Sequence, residues 1–291
     1  MPTSLPISVG LFLDAVGDAI AARREIWHLA DDAGFDHLWH DDHLLSLAGG
    51  RPPDLPIYES WTLLGAMAEA TQRVRVGVLV TGNIYRNPGP LAKMAATVDH
   101  VSGGRLEMAL GTGWAARELT SLGMPAAWLP DRVEMLDEAC TVLKLLWTQA
   151  RSDFDGQHYR LVDAISEPKP VQKPHPRIWI GAEASGTLRV VARHADVWNT
   201  PGSGLEADLE SSRILDEHCR DIGRDPAAIR RSVVLPRGSV DEVCGLAESY
   251  AAAGFSEMIL DVSGDDAAWR VEQVAIPALA RIRDLAAAPI G

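Results

Sequence analysis

The sequence predicts a single (β/α)₈ barrel, an α/β fold of the TIM-barrel class spanning residues 1–291. Three observations lead there. Short apolar runs alternate with longer helical patterns to give eight strand–helix units. The clearest strand, Val74-Arg-Val-Gly-Val-Leu-Val80, is almost wholly apolar at its end, as suits a parallel strand covered on both faces. No glycine-rich fingerprint follows the first strand, as an open doubly wound sheet would usually have.

The elements follow in order. Ile7 to Leu13 reads as the first strand, with Asp14, Gly17 and Asp18 as turn and cap before a helix from about Ala19 to Ala33. Gly34 breaks that helix and His37-Leu-Trp-His40 is the second strand. A helix covers Tyr58 to Thr71, and Val74 to Val80 is the third strand. Pro88-Gly-Pro90 opens a helix that ends at Ser102-Gly-Gly104, followed by a strand from Arg105 to Leu110. From Asp131 to Thr148, Val133, Leu136, Cys140, Leu143 and Trp147 recur at helical spacing, with Asp131 and Glu134 placed to cap and charge the first turn. Ile178-Trp-Ile180 with Thr187–His194, Asp196-Val-Trp198 with Glu206–Ile222, and Ile229–Leu235 make the next units. Ser239 and Glu242 form a capping box ahead of an apolar stripe at Val240, Val243, Ala247 and Tyr250. Glu257 to Asp261 is the last strand, and a helix runs from about Asp266 to Ala287. Residues 151–177 interrupt the rhythm as an insertion between units four and five. There Phe154 to Leu161 resembles a hairpin, and Pro168, Pro170, Pro174 and Pro176 make an extended connector.

Composition narrows the function. With 27 basic and 40 acidic residues the formal net charge is −13, which disfavours an electrostatic grip on nucleic acid or an anionic membrane. No apolar run approaches the roughly 20 residues of a membrane helix. The start, Met1-Pro-Thr-Ser-Leu-Pro, lacks the basic end and apolar stretch of a secretory signal. Cys140, Cys219 and Cys244 form no Cys-x-x-Cys pair and suggest neither a disulfide framework nor a zinc knuckle. The expectation from composition is a soluble, acidic, cytoplasmic globular protein.

In such a barrel the site lies in the loops at the carboxyl ends of the strands. The second loop holds Trp39-His-Asp-Asp-His-Leu44 and leaves three readings open. His40, Asp41, Asp42 and His43 could ligate a metal, although loops five to eight add little beyond Glu183. Asp42 could cap a turn beside a solvated His43. The third reading suits best: His43 is an acid/base or hydrogen-bonding group at the mouth, since its intrinsic pKa lies near neutrality.

The third loop offers Thr81 and Asn83 as hydrogen-bonding groups and Gly82 as a permissive backbone position. Its Arg86 is either an anion ligand or a salt bridge that fixes the loop. In the fourth, Gly111-Thr-Gly-Trp114, glycines admit a flat or anionic ligand to the main chain and Trp114 offers a stacking wall. The fifth, Gly181-Ala-Glu-Ala-Ser-Gly186, is either a phosphate cradle at a helix start, aided by Ser185, or an ordinary turn with Ser185 as N-cap. Glu183 opposes a phosphate unless it turns outward. With Trp114 and Trp198 as aromatic walls and no defensible Ser/His/Asp order or activated Cys, the cleft suits a large planar phosphorylated cofactor.

Several segments carry a family likeness. Phe35-Asp-His-Leu-Trp-His-Asp-Asp-His43, Val80-Thr-Gly-Asn-Ile-Tyr-Arg-Asn-Pro88, Ser102-Gly-Gly-Arg-Leu-Glu-Met-Ala-Leu-Gly-Thr-Gly-Trp114 and Ile178-Trp-Ile-Gly…Ala192-Arg-His-Ala-Asp-Val-Trp-Asn199 resemble the bacterial luciferase-like monooxygenase family. More narrowly they resemble its branch that uses the 5-deazaflavin coenzyme F420. The insertion, with Phe154-Asp-Gly-Gln-His-Tyr-Arg-Leu and Pro168-Lys-Pro-Val-Gln, resembles the family's too, so the likeness covers nearly the whole chain.

The resemblance implies a (β/α)₈ barrel, usually a homodimer, moving a hydride between F420 and an organic substrate. It places Asp42 and His43 beside the cofactor ring, with His43 catalytic, and Thr81 and Asn83 near the ring edge. It implies a non-proline cis peptide near Leu79–Val80, bulging behind the ring. Gly111, Thr112, Gly113 and Trp114 match the loop along the cofactor tail, and Gly181, Ala182 and Glu183 its phosphate end. This chain departs in having Trp114 where some deazaflavin dehydrogenases carry Glu, and fewer glycines in the fifth loop. FMN with oxygen, on the same scaffold, is the alternative chemistry. A metal-dependent hydrolase and a non-catalytic cofactor carrier are more distant ones. Leu44 to Ile57 is the candidate lid.

Overall fold

The structure, a computed structural model, describes residues 5–17, 19–46, 52, 54–125 and 130–287. Eight parallel strands close on themselves: β1 Ser8–Phe12, β2 His37–His40, β3 Arg75–Val78, β4 Leu106–Gly111, β5 Ile178–Gly181, β6 Val197–Thr200, β7 Arg230–Leu235 and β8 Glu257–Asp261. Each pairs with its sequence neighbours. β8 pairs with β1 (Glu257 opposite Ser8), and β3 meets β4 at Val76–Leu106. The barrel predicted from eight units is the one observed.

The helices lie outside it: α1 Ile20–Ala33, α2 Ser60–Ala70, α3 Pro88–Val101, α4 Arg132–Thr148, α5 Ser185–His194, α6 Leu205–Asp221 and α7 Val240–Ala252. The last, α8, comprises Ala267–Arg270, a π turn Val271–Ala275 and Ile276–Arg283. Pro277 lacks the amide that would continue the ladder, which accounts for a local shift of hydrogen-bond register just before it. The chain then leaves the helix earlier than predicted, and Ala286–Ala287 pairs antiparallel with Leu5–Pro6. The insertion forms the expected hairpin, Ser152–Asp155 with Arg160–Ala164.

Caps follow local chemistry. Ser239 and Glu242 form the reciprocal box at α7. The Glu59 carboxylate accepts the Thr62 N–H at α2, and the Asn87 side chain accepts the Gly89 N–H at α3. Two predicted caps are absent. Asp131 stands at the start of α4 without a side-chain cap bond, because its backbone (φ −97°, ψ 7°) is not in the extended conformation that aims a cap inward. The N-cap of α5 is Ala184, one residue before Ser185, whose Oγ lies 3.2 Å from His218 Nε2. Asp18 is outside the described residues.

Period-two alternation sorts the strand residues into two cores. Val9, Leu11, Leu38, Val76, Val78, Met108, Ile178 and Leu260 face the helices. Trp39, Leu79, Ala109, Trp179, Val197 and Ile259 fill the barrel, with Phe12, Val80 and Val234 above them. Gly77 makes room there, since a Cβ on it would lie 2.3 Å from the Trp39 ring. Beneath the tryptophans is a buried ionic layer. Arg177 bonds both Glu107 and Glu257, Trp179 Nε1 donates to Glu107 at 2.6 Å, and Trp39 Nε1 donates to His37 Nδ1 at 2.6 Å. Pairing and hydrogen bonding offset the desolvation of these charges. These side chains fill the floor, and the cavity lies at the carboxyl ends of the strands.

Candidate active site

A cavity of about 680 Å³ opens at that end of the barrel. It is lined by Phe12 from β1, Asp41, Asp42 and His43 after β2, and Leu79, Val80, Gly82 and Tyr85 after β3. Gly111, Thr112, Gly113 and Trp114 come from the end of β4, Gly181, Ala182, Glu183 and Ala184 from the end of β5, and Asn199 and Val234 from β6 and β7. Of the thirteen residues predicted for the site, all but Thr81 and Asn83 converge on this one rim.

Those two sit behind it. Thr81 belongs to a short strand, Thr81–Gly82, that pairs with β4, and its Oγ1 accepts the Trp61 Nε1 proton at 3.3 Å. The Asn83 amide donates to the Tyr159 hydroxyl of the insertion at 3.3 Å. Both are buried and turned away from the cavity. Trp198 is likewise no wall of the site. It faces outward from β6, packs against Phe255 and donates to the Ala182 carbonyl at 2.8 Å, so Phe12 supplies the second aromatic surface.

The Leu79–Val80 peptide is cis, as the resemblance implies, and both side chains line the cavity. Val80 accounts for two of the glycines. A Cβ on Gly111 would lie 2.4 Å from Val80 Cγ2, and one on Gly181 would lie 3.0 Å from Val80 Cγ1. These glycines give space to a side chain; the expected close approach of ligand to backbone is not needed to explain them. Gly82 similarly makes room for the Tyr85 ring, 2.5 Å from a would-be Cβ, and has no positive φ. Gly113 does adopt one (+74°).

Charged side chains cluster at the strand ends. Asp42 Oδ2 accepts from Gly82 N at 2.8 Å and Arg86 Nη1 at 2.6 Å, and Arg86 also bonds Glu59. Arg86 is therefore the salt bridge that fixes the third loop. Burial pushes the Asp42 carboxyl up, against the pull of Arg86. Its Oδ1 is buried with no hydrogen-bond partner among the described residues. Burial also pushes the neighbouring Asp41 carboxyl up to about 6, although it accepts the Ala15 N–H at 2.8 Å.

His43 is tied to a residue that sequence reasoning missed. Its Nδ1 lies 3.1 Å from Glu118 Oε1, an oxygen that also accepts from Leu44 N at 2.9 Å and Leu45 N at 3.0 Å. Tyr85 donates its hydroxyl to Glu118 Oε2. Burial lowers the proton affinity of His43, but the Glu118 bond and the charges of Asp41, Glu118 and Asp42 outweigh it and raise the pKa above the usual imidazole value. Glu118, although desolvated, is held below the ordinary carboxylate range by His43, Tyr85 and the Leu45 amide. With Nδ1–H donated to a carboxylate, neutral His43 keeps its lone pair on Nε2. Trp114, 64% exposed, meets the imidazole edge-on at 5.4 Å. Glu118 rides on a six-residue helix, Ala116–Ser121, whose sequence signal is Gly123 at positive φ two residues past its end.

At the opposite side, Arg132 and Val133 bring the first turn of α4 to the rim, and Ala184 and Thr187 the first turn of α5. Helix N-termini favour anions. Glu183 is exposed and bonded to the Ser203 hydroxyl. The metal reading loses its geometry: His40 is buried with Nδ1 on the Asp41 carbonyl at 3.1 Å, and it does not line the cavity. Among the described residues no three His, Cys, Asp or Glu are grouped to hold an ion. The candidate lid, Leu44 to Ile57, includes residues 47–51 and 53, which lie outside the described residues.

The chain is similar to known proteins in sequence and in fold. A family model described as luciferase-like monooxygenase matches residues 3–268. The chain is 34% identical over 191 residues to an F420-dependent glucose-6-phosphate dehydrogenase of Microbacterium testaceum, covering 64% of this chain and 54% of that one. It is 27% identical over 244 residues to an FMNH(2)-dependent dimethylsulfone monooxygenase of Pseudomonas putida, covering 81% and 66%. In fold it is similar to an F420-dependent secondary alcohol dehydrogenase solved with an F420–acetone adduct, with a TM-score of 0.83, 18% identity, and 96% and 100% of the two chains covered.

Proposed function

The chain belongs to the luciferase-like monooxygenase family, and on that premise we propose that it is an oxidoreductase moving a hydride between coenzyme F420 and a small organic substrate. One observation carries the reading: Asp42, Val80 and the Glu118-bound His43 meet on one wall of a cavity of about 680 Å³. That volume suits a cofactor plus a small second ligand.

The residues present fit the cofactor. Asp42 Oδ1 is a buried acceptor without a donor among the described residues, and the pyrimidine edge of a deazaflavin carries an N–H to satisfy it. Leu79 and Val80 form an apolar wall for the ring. Gly111, Thr112, Gly113 and Trp114 would follow the tail. Gly181, Ala182 and Glu183, flanked by Arg132 and the first turns of α4 and α5, would meet its phosphate. Thr81 and Asn83 would act from behind, by holding the third loop in place. When bound, the deazaflavin supplies or accepts the hydride.

The protein handles the proton. As a carbinol carbon gives up its hydride, His43 Nε2 takes the hydroxyl proton and the C=O bond forms; in reverse, the imidazolium returns that proton to the carbonyl oxygen. Glu118 fixes the ring's tautomer and stabilises its protonated form.

The F420-dependent relative supports this cofactor. A reduced-FMN monooxygenase is the second reading, favoured by the likeness to the dimethylsulfone enzyme over 81% of the chain. Fluorescence titration with each cofactor separates them. The proposal expects F420 to bind at least about tenfold more tightly than FMN; tight FMN binding with none of F420 overturns it. His43→Ala should spare F420 affinity yet cut alcohol-dependent F420 reduction about 10²–10⁴-fold, the usual worth of a positioned acid or base. Unchanged turnover would remove His43 from the mechanism.

A further inference from the structure

Asp41 is a wall residue that the proton transfer at His43 does not use. Its side chain lines the cavity, only 8% exposed. Two residues before His43 on the same segment, it shares the wall with the proton-handling imidazole and interacts electrostatically with it. One carboxyl oxygen is committed: Oδ1 accepts the Ala15 N–H at 2.8 Å, while the Asp41 carbonyl accepts the Ser60 hydroxyl at 2.6 Å. These bonds fix the residue between β1 and α2. The other oxygen, Oδ2, meets no donor among the described residues.

A carboxylate this buried ordinarily has its acceptors filled. Among the described residues no cation bonds it: the nearby His43 imidazole attracts the carboxylate but spends its Nδ1 on Glu118. Arg86 is spent on Asp42 and Glu59, and Arg23 donates to the carbonyls of Asp14 and Val16. Burial accordingly pushes the Asp41 carboxyl up to about 6. Asp41 Oδ2 is not among the side-chain atoms sealed from solvent, so it opens to the cavity, where a bound ligand can supply the donor.

We propose that Asp41 is a substrate-recognition residue whose Oδ2 accepts a hydrogen bond from an O–H or N–H group carried beside the reacting carbon. The preferred substrate is therefore a hydroxyl- or amino-bearing alcohol, or the matching carbonyl compound, and not a simple alkanol. This deepens the F420 reading and rests on it for the identity of the reacting carbon. The contact itself rests on the cavity alone.

The test substitutes Asp41→Asn. Asparagine Oδ1 can keep the Ala15 bond, while its Nδ2 presents a donor where the acceptor was. Calorimetric titration of the F420-loaded protein uses three probes of similar shape: 2-propanol, 1,2-propanediol and 1-amino-2-propanol. In the wild type, the diol or the amino alcohol should bind at least about tenfold more tightly than 2-propanol, the worth of one hydrogen bond to a charged group. Preference for the diol identifies a neutral donor, and preference for the amino alcohol an ammonium. Asp41→Asn should erase the preference while leaving F420 affinity within about twofold and the thermal midpoint no lower.

Equal affinity for all three probes, binding of none, or a preference that survives the substitution would overturn the proposal. So would loss of F420 affinity in Asp41→Asn, which would make Asp41 a cofactor ligand. If F420 itself fails to bind, the functional reading falls. The probe series on the protein alone then still decides whether Asp41 selects for a donor.

Discussion

Replacing Glu118 with glutamine should lower the pKa of His43, and the size of the change follows from the contact. The pair is separated by 3.1 Å, with the Glu118 side chain fully buried and His43 19% exposed, so solvent screens it little. A hydrogen bond to a charged group contributes about 1.5–3 kcal/mol. At 1.36 kcal/mol per pKa unit, removing the charge lowers the proton affinity of the imidazole about 10- to 100-fold. The sign is fixed because the burial that opposes protonation remains when the charge goes. Glutamine keeps an oxygen for the Leu44 and Leu45 amides, which guards the local fold. The assay is a ¹³C-histidine NMR titration, with the His43 signal assigned by its loss in His43→Ala. The wild-type signal should titrate above the usual imidazole range and the Glu118→Gln signal below it. An unmoved midpoint would refute the claim that this carboxylate governs His43.

Three further outcomes follow from neighbouring contacts. Arg86→Ala leaves the Asp42 carboxylate buried without its cation and should cost about 3–5 kcal/mol in urea unfolding; a loss below about 1 kcal/mol would mean the pair is not desolvated as described. Gly111→Ala places a methyl 2.4 Å from Val80 Cγ2, so it should weaken F420 binding and destabilise by about 1–3 kcal/mol; wild-type F420 affinity would show that the position of Val80 is irrelevant to the site. Asp41→Asn should stabilise the protein at neutral pH. With a folded pKa of about 6 against an ordinary 3.8, the wild-type residue costs nothing at low pH. Above 3.8 the unfolded chain ionises first, so native stability falls until about pH 6 and the penalty then stays at about 3 kcal/mol. The gain in thermal midpoint should therefore be absent at pH 4 and full by pH 7; a gain independent of pH would point to packing instead.

How legible the protein was in its sequence depends on the range of the forces involved. Strands such as His37–His40 and Glu257–Asp261 were readable to the residue, because period two and flanking glycines are local. The placing of the second to fifth loops also followed, since barrel topology sends every strand end to one rim. Direction of side chains was less legible. Its place at a strand end suggests Trp198 as a wall, yet a shift of one residue sets inward against outward, and the inward neighbours are Val197 and Asn199. Thr81 and Asn83 were misplaced for a related reason: after the cis bond the chain forms its own short pair with β4. Glu118 was missed because six residues show too little periodicity to announce a helix, and its partner His43 lies 75 positions away. Glycines 111 and 181 lie on the rim, but the space they leave for Val80 is visible only in the three-dimensional packing.

The most direct test of the whole account is a crystal structure of the protein soaked with F420. The deazaflavin ring should lie against Leu79 and Val80, with its pyrimidine edge at Asp42 Oδ1 and His43 Nε2 facing its reactive carbon. A ring seated elsewhere, or a cavity filled by the ring in a way that leaves His43 out of reach of any substrate, would contradict it.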